Sequence, residues 1–158
     1  MEGYIIFILL LLVACFIKSN DKRLIYMFLI TTVFSSIRYG IGFDYYQYLA
    51  TAMGTKPNET TELIPRLMLD FSVETIPFLF FFLSSIFISI FFAAGIKKGG
   101  EDNYMEVFFY VSFPFLFLNH LGIIRQGMAT AVILLAIVSR HDKLYKKLLL
   151  ITIAFLCH

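Results

Sequence analysis

Leu24-Ile-Tyr-Met-Phe-Leu-Ile-Thr-Thr-Val-Phe-Ser-Ser-Ile37 carries no charge and is followed at once by Arg38-Tyr39-Gly40-Ile41-Gly42-Phe43-Asp44-Tyr45-Tyr46-Gln47-Tyr48. The first part reads as a helix inside a membrane, the second as the place where the chain leaves it. A cation and a carboxylate six residues apart, two glycines and four tyrosines meet at that border. Such donors, acceptors and aromatic faces suit a ligand that is part anion and part sugar. The plainer alternative is an aromatic belt with one interfacial Arg, a common border of membrane spans.

Outward from that stretch, the composition sets the class. Of the 158 residues, 59% are hydrophobic and only 15% are charged, at a mean hydropathy of +0.83. Apolar runs at that density read as membrane spans and exclude an ordinary soluble domain. The net charge of +2 gives no reason to expect nucleic acid as a partner. Cys15 and Cys157 lie in apolar runs, away from any CxxC or Cys/His grouping, which points to packing rather than to a disulfide or a metal. The N-terminal run lacks a basic leader and an A-x-A-like cleavage site, and Lys18, Lys22 and Arg23 follow it. It reads as a retained span, not a removable signal.

Six spans are expected, over residues 3–17, 24–37, 75–96, 104–118, 127–138 and from 148 onward. The expected fold is all-α: a polytopic transmembrane helical bundle forming a single membrane domain. Pro77 stands near the start of the third span, and Pro114 is expected to kink the fourth. The last run, from Leu148 to Cys157, is too short to span alone, so the chain is expected to be the N-terminal part of a longer protein.

Residues 38–74 form the long polar segment, with three cations against five carboxylates, a balance of −2. Within it Leu63, Ile64, Leu67, Met68 and Phe71 recur at helical spacing, with Glu62, Arg66 and Asp70 at i, i+4 on the opposite side. Thr61 is the expected N-cap, and Pro65 then falls in the first turn, where its missing N–H is harmless. The pattern predicts an amphipathic helix on the membrane surface; an element packed within the protein is the alternative.

Lys and Arg concentrate in the turns 18–23, 97–103 and 140–147, and few occupy 38–74 and 119–126. The positive-inside rule then puts the basic turns in the cytoplasm and the N-terminus outside. Arg38, Asp44, Arg125 and His158 all fall on the outer side, four polar groups from four span ends on one leaflet.

Arg38-Tyr-Gly-Ile-Gly-Phe-Asp-Tyr-x-x-Tyr48 after the second span, Ile124-Arg125-Gln126 opening the fifth and Phe155-x-x-His158 in the sixth resemble the EpsG family, Wzy-like exopolysaccharide polymerases of bacteria. The order of the three motifs, at span ends on one side, carries the resemblance. It implies a multi-pass enzyme of the bacterial cytoplasmic membrane that joins oligosaccharide repeat units, carried on undecaprenyl pyrophosphate, into an exopolysaccharide, capsule or O-antigen chain. A chain-length regulator and a flippase of the same pathway are the partners it implies.

The residues suit that chemistry. Arg38 and Arg125, with Gln126, are the candidate holders of the departing pyrophosphate, since Arg binds phosphate oxygens in pairs and stays charged. Asp44 and His158 are the candidate catalytic bases for the attacking sugar hydroxyl. Tyr39, Tyr45 and Tyr48, with Tyr46 beside them, are the candidate sugar contacts. No DxD-like carboxylate pair occurs, so neither a metal nor another cofactor is expected. Two other classes take similar residues: a polysaccharide or lipid-linked-sugar transporter, and a membrane acyltransferase. A transporter needs polar groups along a path through the membrane, whereas here they gather on one side.

Overall fold

The computed structural model describes residues 2–37, 40, 42, 44–60, 62–99, 123–139 and 142–158. The fourth expected span, 104–118, lies outside the described residues, as do Arg38, Tyr39 and Thr61. The described residues form seven α-helices: α1 (Glu2–Val13), α2 (Asn20–Ile37), α3 (Tyr45–Ala52), α4 (Leu63–Glu74), α5 (Leu79–Gly99), α6 (Ile124–Val138) and α7 (Leu144–Cys157). A single 3-10 turn, Ala14–Phe16, continues α1.

The all-α expectation holds, and the helix limits differ from the apolar runs in a consistent way. α2 starts at Asn20, α6 at Ile124 and α7 at Leu144, three or four residues ahead of the apolar runs expected from 24, 127 and 148. Backbone hydrogen bonding does not require apolar side chains, so a helix begins in its polar flank and only later enters its apolar stretch. Asp21 sits in the first turn of α2, where the helix dipole favours an anion. Arg23 Nε and Nη2 donate to the Ile17 carbonyl at 2.9 and 2.6 Å, fixing the turn before it. The third run shortens instead: α5 starts at Leu79, because Pro77 forbids a helix from running through it out of α4.

α5 is the hub, packed against α2, α4 and α6, while α6 also meets α7. Leu79–Lys98 is 20 residues long with a hydropathy of 2.4, enough to cross a membrane. The apolar stretches Gly3–Phe16 and Ile124–Val138 are shorter than a full span. Among the described residues, therefore, one helix rather than six reaches full spanning length.

α4 departs from the expected surface helix. Its buried stripe is Pro65, Leu69 and Ser72, with Ile64 and Met68 alongside, packed towards α3, α5 and α7. Leu63, Leu67 and Phe71 form a second, exposed stripe. The apolar residues read as one face are thus divided between the protein and its surroundings. Arg66 and Asp70 pair at 3.9 Å on the exposed side, and Glu62 turns elsewhere.

Two apolar clusters hold the helices together. One joins α1, α2 and the end of α5 through Phe7, Leu11, Met27 and Ile96, with Phe7 stacked on Phe34 at 4.1 Å. The other gathers Tyr45, Tyr48, Leu69, Phe80, Phe81 and Ile124 near the opposite end of α5. The polar ends sort in the same way. Lys97 pairs with Asp21 at 3.3 Å, and Lys98 binds Asp142 and donates to Ser139 Oγ at 3.0 Å. The basic turns of α2, α5, α6 and α7 therefore share one pole, about 30 Å along α5 from the other.

Candidate functional site

The second pole is built from the border stretch that follows α2. Gly40 and Gly42 have φ of 66° and 110°, a left-handed backbone that favours glycine. A side chain on Gly40 would also come within 3.0 Å of Tyr46 Oη. These two residues turn the chain into α3, where the Tyr45 N–H donates to the Gly42 carbonyl at 3.3 Å. Asp44 occupies the N-cap position, yet its side chain makes no capping hydrogen bond. Its carboxylate is therefore not spent on the helix terminus.

α3 places its aromatics by helical spacing. Tyr45, Tyr48 and Ala52 share the buried side, with Tyr45 stacked on Phe81 at 4.8 Å and Tyr48 tilted against Phe80 at 4.9 Å. Tyr46 falls on the outer side and is 62% exposed. After α3, Gly54 at φ 68° closes a Schellman turn: Thr55 N–H donates to Ala50 O at 3.0 Å and Gly54 N–H to Thr51 O at 2.9 Å. The connection to α4 is then pinned by Asn58, whose Nδ2 donates to Asp70 Oδ1 at 2.8 Å and whose Oδ1 accepts from the Thr60 N–H at 3.2 Å.

Arg125 is the second residue of α6, and Glu62 immediately precedes α4. Arg125 Nη1 donates to Glu62 Oε1 at 2.6 Å, with the two side chains 35% and 13% exposed. Tyr48 stands beside Arg125. Burial pushes its phenol above the ordinary value, while the guanidinium pulls it back, so Tyr48 stays protonated and a hydrogen-bond donor near neutral pH. A cation at the start of a helix opposes the helix dipole. For an anion at that spot the two fields add.

Asp44, Tyr48 and Arg125 line one cleft of about 490 Å³, together with Lys56, Glu59 and Thr60 of the α3–α4 connection. Two parts of the chain far apart in sequence, 44–60 and Arg125, thus bring a carboxylate, a phenol and a guanidinium to one cavity. Compared with known families, residues 22–158 match the EpsG family.

The chain belongs to the EpsG family. No curated protein and no solved structure matches it. Membership supports a membrane-associated role in polysaccharide biosynthesis.

Of the residues expected from the EpsG motifs, Asp44, Tyr48 and Arg125 come together in the cleft. Tyr45 does not line it: its ring is 2% exposed and stacked in the core. Tyr48 lines the cleft beside Arg125, with its ring tilted against Phe80. Gln126 points outward, exposed, since neighbours on a helix are 100° apart and Arg125 takes the cleft side. His158 is exposed at the end of α7 and does not line the cleft, although Cys157 beside it is buried in the same cluster. Arg38 and Tyr39 lie outside the described residues.

Sequence reading missed Glu62 and Lys56. The i, i+4 spacing assigned Glu62 to Arg66, but Glu62 precedes the helix and faces Arg125. The available signal was Pro65: a proline fits only the first turn, which leaves Glu62 near the helix start rather than within the helix.

Proposed function

We propose that this EpsG-family chain is part of a multi-pass polymerase of the bacterial cytoplasmic membrane, with its N-terminus outside. It joins lipid-pyrophosphate-linked oligosaccharide repeat units on the outer leaflet. The observation that supports this reading is the gathering of Asp44, Tyr48 and Arg125 in one cleft, at the pole opposite the basic turns.

In the reaction, a hydroxyl of the incoming unit attacks the anomeric carbon of the growing chain. The bond from that carbon to the pyrophosphate oxygen breaks, and the lipid pyrophosphate leaves with the electron pair. Arg125 holds the leaving phosphate oxygens, at a helix start whose dipole also favours an anion. Tyr48 donates a hydrogen bond there. Asp44 accepts the proton of the attacking hydroxyl, and is preferred to His158 because it lines the cleft. Arg38, which opens this stretch, serves as a second holder, and a flippase and a chain-length regulator are the partners of the pathway.

Replacing Arg125 by Lys tests this. Lys keeps the charge and loses the planar fork. Loss of one preorganised donor to a developing anion costs about 2.7–4 kcal/mol, about a hundredfold or more in rate. Cells relying on Arg125→Lys should accumulate single lipid-linked repeat units and make little polymer, with the protein still in the membrane. Polymer of normal length and amount would reduce Arg125 to an interfacial anchor, since Lys snorkels as well as Arg.

A further inference from the structure

We infer that Gln47 is a specificity-determining residue: its side-chain amide binds a pair of neighbouring hydroxyls on a sugar of the repeat unit. The inference rests on the polymerase reading above. One wall of the cleft is α3, which contributes Asp44, Gln47, Tyr48 and Thr51. These positions stand at i, i+3, i+4 and i+7, a single helix face about 10 Å long from end to end. Every one of them carries a polar group. Tyr48 and Thr51 are buried, whereas Gln47 is exposed. Among the described residues the Gln47 amide has no hydrogen-bond partner. Tyr45, the sugar contact expected two positions earlier, is committed to the core, so the amide of Gln47 is what this turn of α3 offers a sugar.

Charge does not select the ligand along this wall. Two cations, Lys56 and Arg125, and two carboxylates, Asp44 and Glu59, line the cleft and balance. Glu62 also faces Arg125, at 2.6 Å. Discrimination between ligands therefore falls to hydrogen bonding. Carboxylates only accept, and Lys and Arg only donate, whereas a sugar hydroxyl does both. The Gln47 amide sets a donor nitrogen beside an acceptor oxygen, so it can take two adjacent hydroxyls at once, donating to one and accepting from the other. Thr51, one turn further along the same face, adds a single hydroxyl. Once a sugar covers the amide, a missing hydroxyl leaves it unpaired, which penalises the wrong ligand.

The test is binding of two probes to the purified chain in detergent micelles, by calorimetry. One probe is inorganic pyrophosphate. The other is the free oligosaccharide released by mild acid from the lipid-linked repeat units of the producing cells. Gln47→Ala should bind the oligosaccharide about tenfold more weakly than the parent, and pyrophosphate equally well. Gln47→Glu, which keeps the size but only accepts, should lose oligosaccharide binding too. Gln47 is exposed and Ala favours a helix, so α3 should keep its structure. Unchanged oligosaccharide binding in Gln47→Ala overturns the inference and leaves the anion site standing. So does a parent that binds pyrophosphate alone, and so does an equal loss of both probes. Oligosaccharide binding that Gln47→Ala weakens, with no pyrophosphate bound by the parent, overturns the anion site and leaves the inference standing. Binding of neither probe by the parent overturns both together.

Discussion

The two poles of the bundle use the same residue types to different ends. At the basic pole, Lys97 meets Asp21 with side chains 70% and 76% exposed, and Lys98 meets Asp142 at 43% and 27%. At the other pole, Arg125 meets Glu62 at 35% and 13%. Water screens the first set, and such pairs contribute little to stability. The second pair is more withdrawn from water, so losing one partner costs more there. Apolar packing supports both ends of α5, with Phe80 and Phe81 backing the cleft aromatics at one and Ile96 joining Phe7 and Met27 at the other. The lesson is that the ion pair at the acidic, tyrosine-rich pole is the more sheltered, while those at the basic pole stand more in water.

The largest effect expected of this comparison is all-or-none. With Cys15 and Cys157 replaced by alanine, a cysteine at Thr55 should react with a membrane-impermeant thiol reagent in intact cells, and one at Ser19 should not. Both positions are exposed, so access alone does not distinguish them. Reversed labelling would turn the molecule over and move the cleft to the cytoplasmic side.

A smaller effect concerns stability. Glu62→Ala removes the carboxylate facing Arg125 in a partly dry site and should cost about 2 kcal/mol, below the ~3–5 kcal/mol of a fully buried pair because Arg125 retains some solvent. Asp21→Ala removes an exposed partner and should cost no more than about 0.5 kcal/mol. Thermal unfolding of the purified variants measures both, and equal losses would erase the contrast between the poles.

The smallest effect is a pH dependence at the basic pole. The hydrogen bond from Lys98 holds the Asp142 carboxyl below the usual value. A depressed carboxylate stabilises above its unfolded value, about pH 4, and this is lost as pH falls through the folded value. The difference in melting temperature between the parent and Asp142→Asn should therefore stay constant from about pH 7 to 5 and shrink below about 4. A gap that persists at lower pH would show that it does not come from the ionised Asp142 carboxylate, and no gap at any pH would show that the contact contributes nothing.

The long apolar helix α5 was legible in the sequence because nothing polar interrupts it. So was α4, whose period and Pro65 fix a helix start within two residues. The starts of α2, α6 and α7 were not, because hydropathy marks where side chains meet an apolar medium and not where backbone hydrogen bonding begins. That Asp44, Tyr48 and Arg125 lie at one end of the bundle was legible from their place at span ends. The orientation of Tyr45 was not, since four tyrosines close together look alike until helical phase assigns each a direction.

Sequence alone determined the class of this protein, the sorting of its charges into alternate turns and the motifs that mark it as an EpsG chain, because each is written in composition or local order. Tertiary structure alone decided that Glu62 belongs to Arg125 across 63 positions, that Tyr45 is core and that Lys56 joins the cleft. Those outcomes depend on which helix faces meet in space, and no local period encodes a contact between segments that only packing brings together.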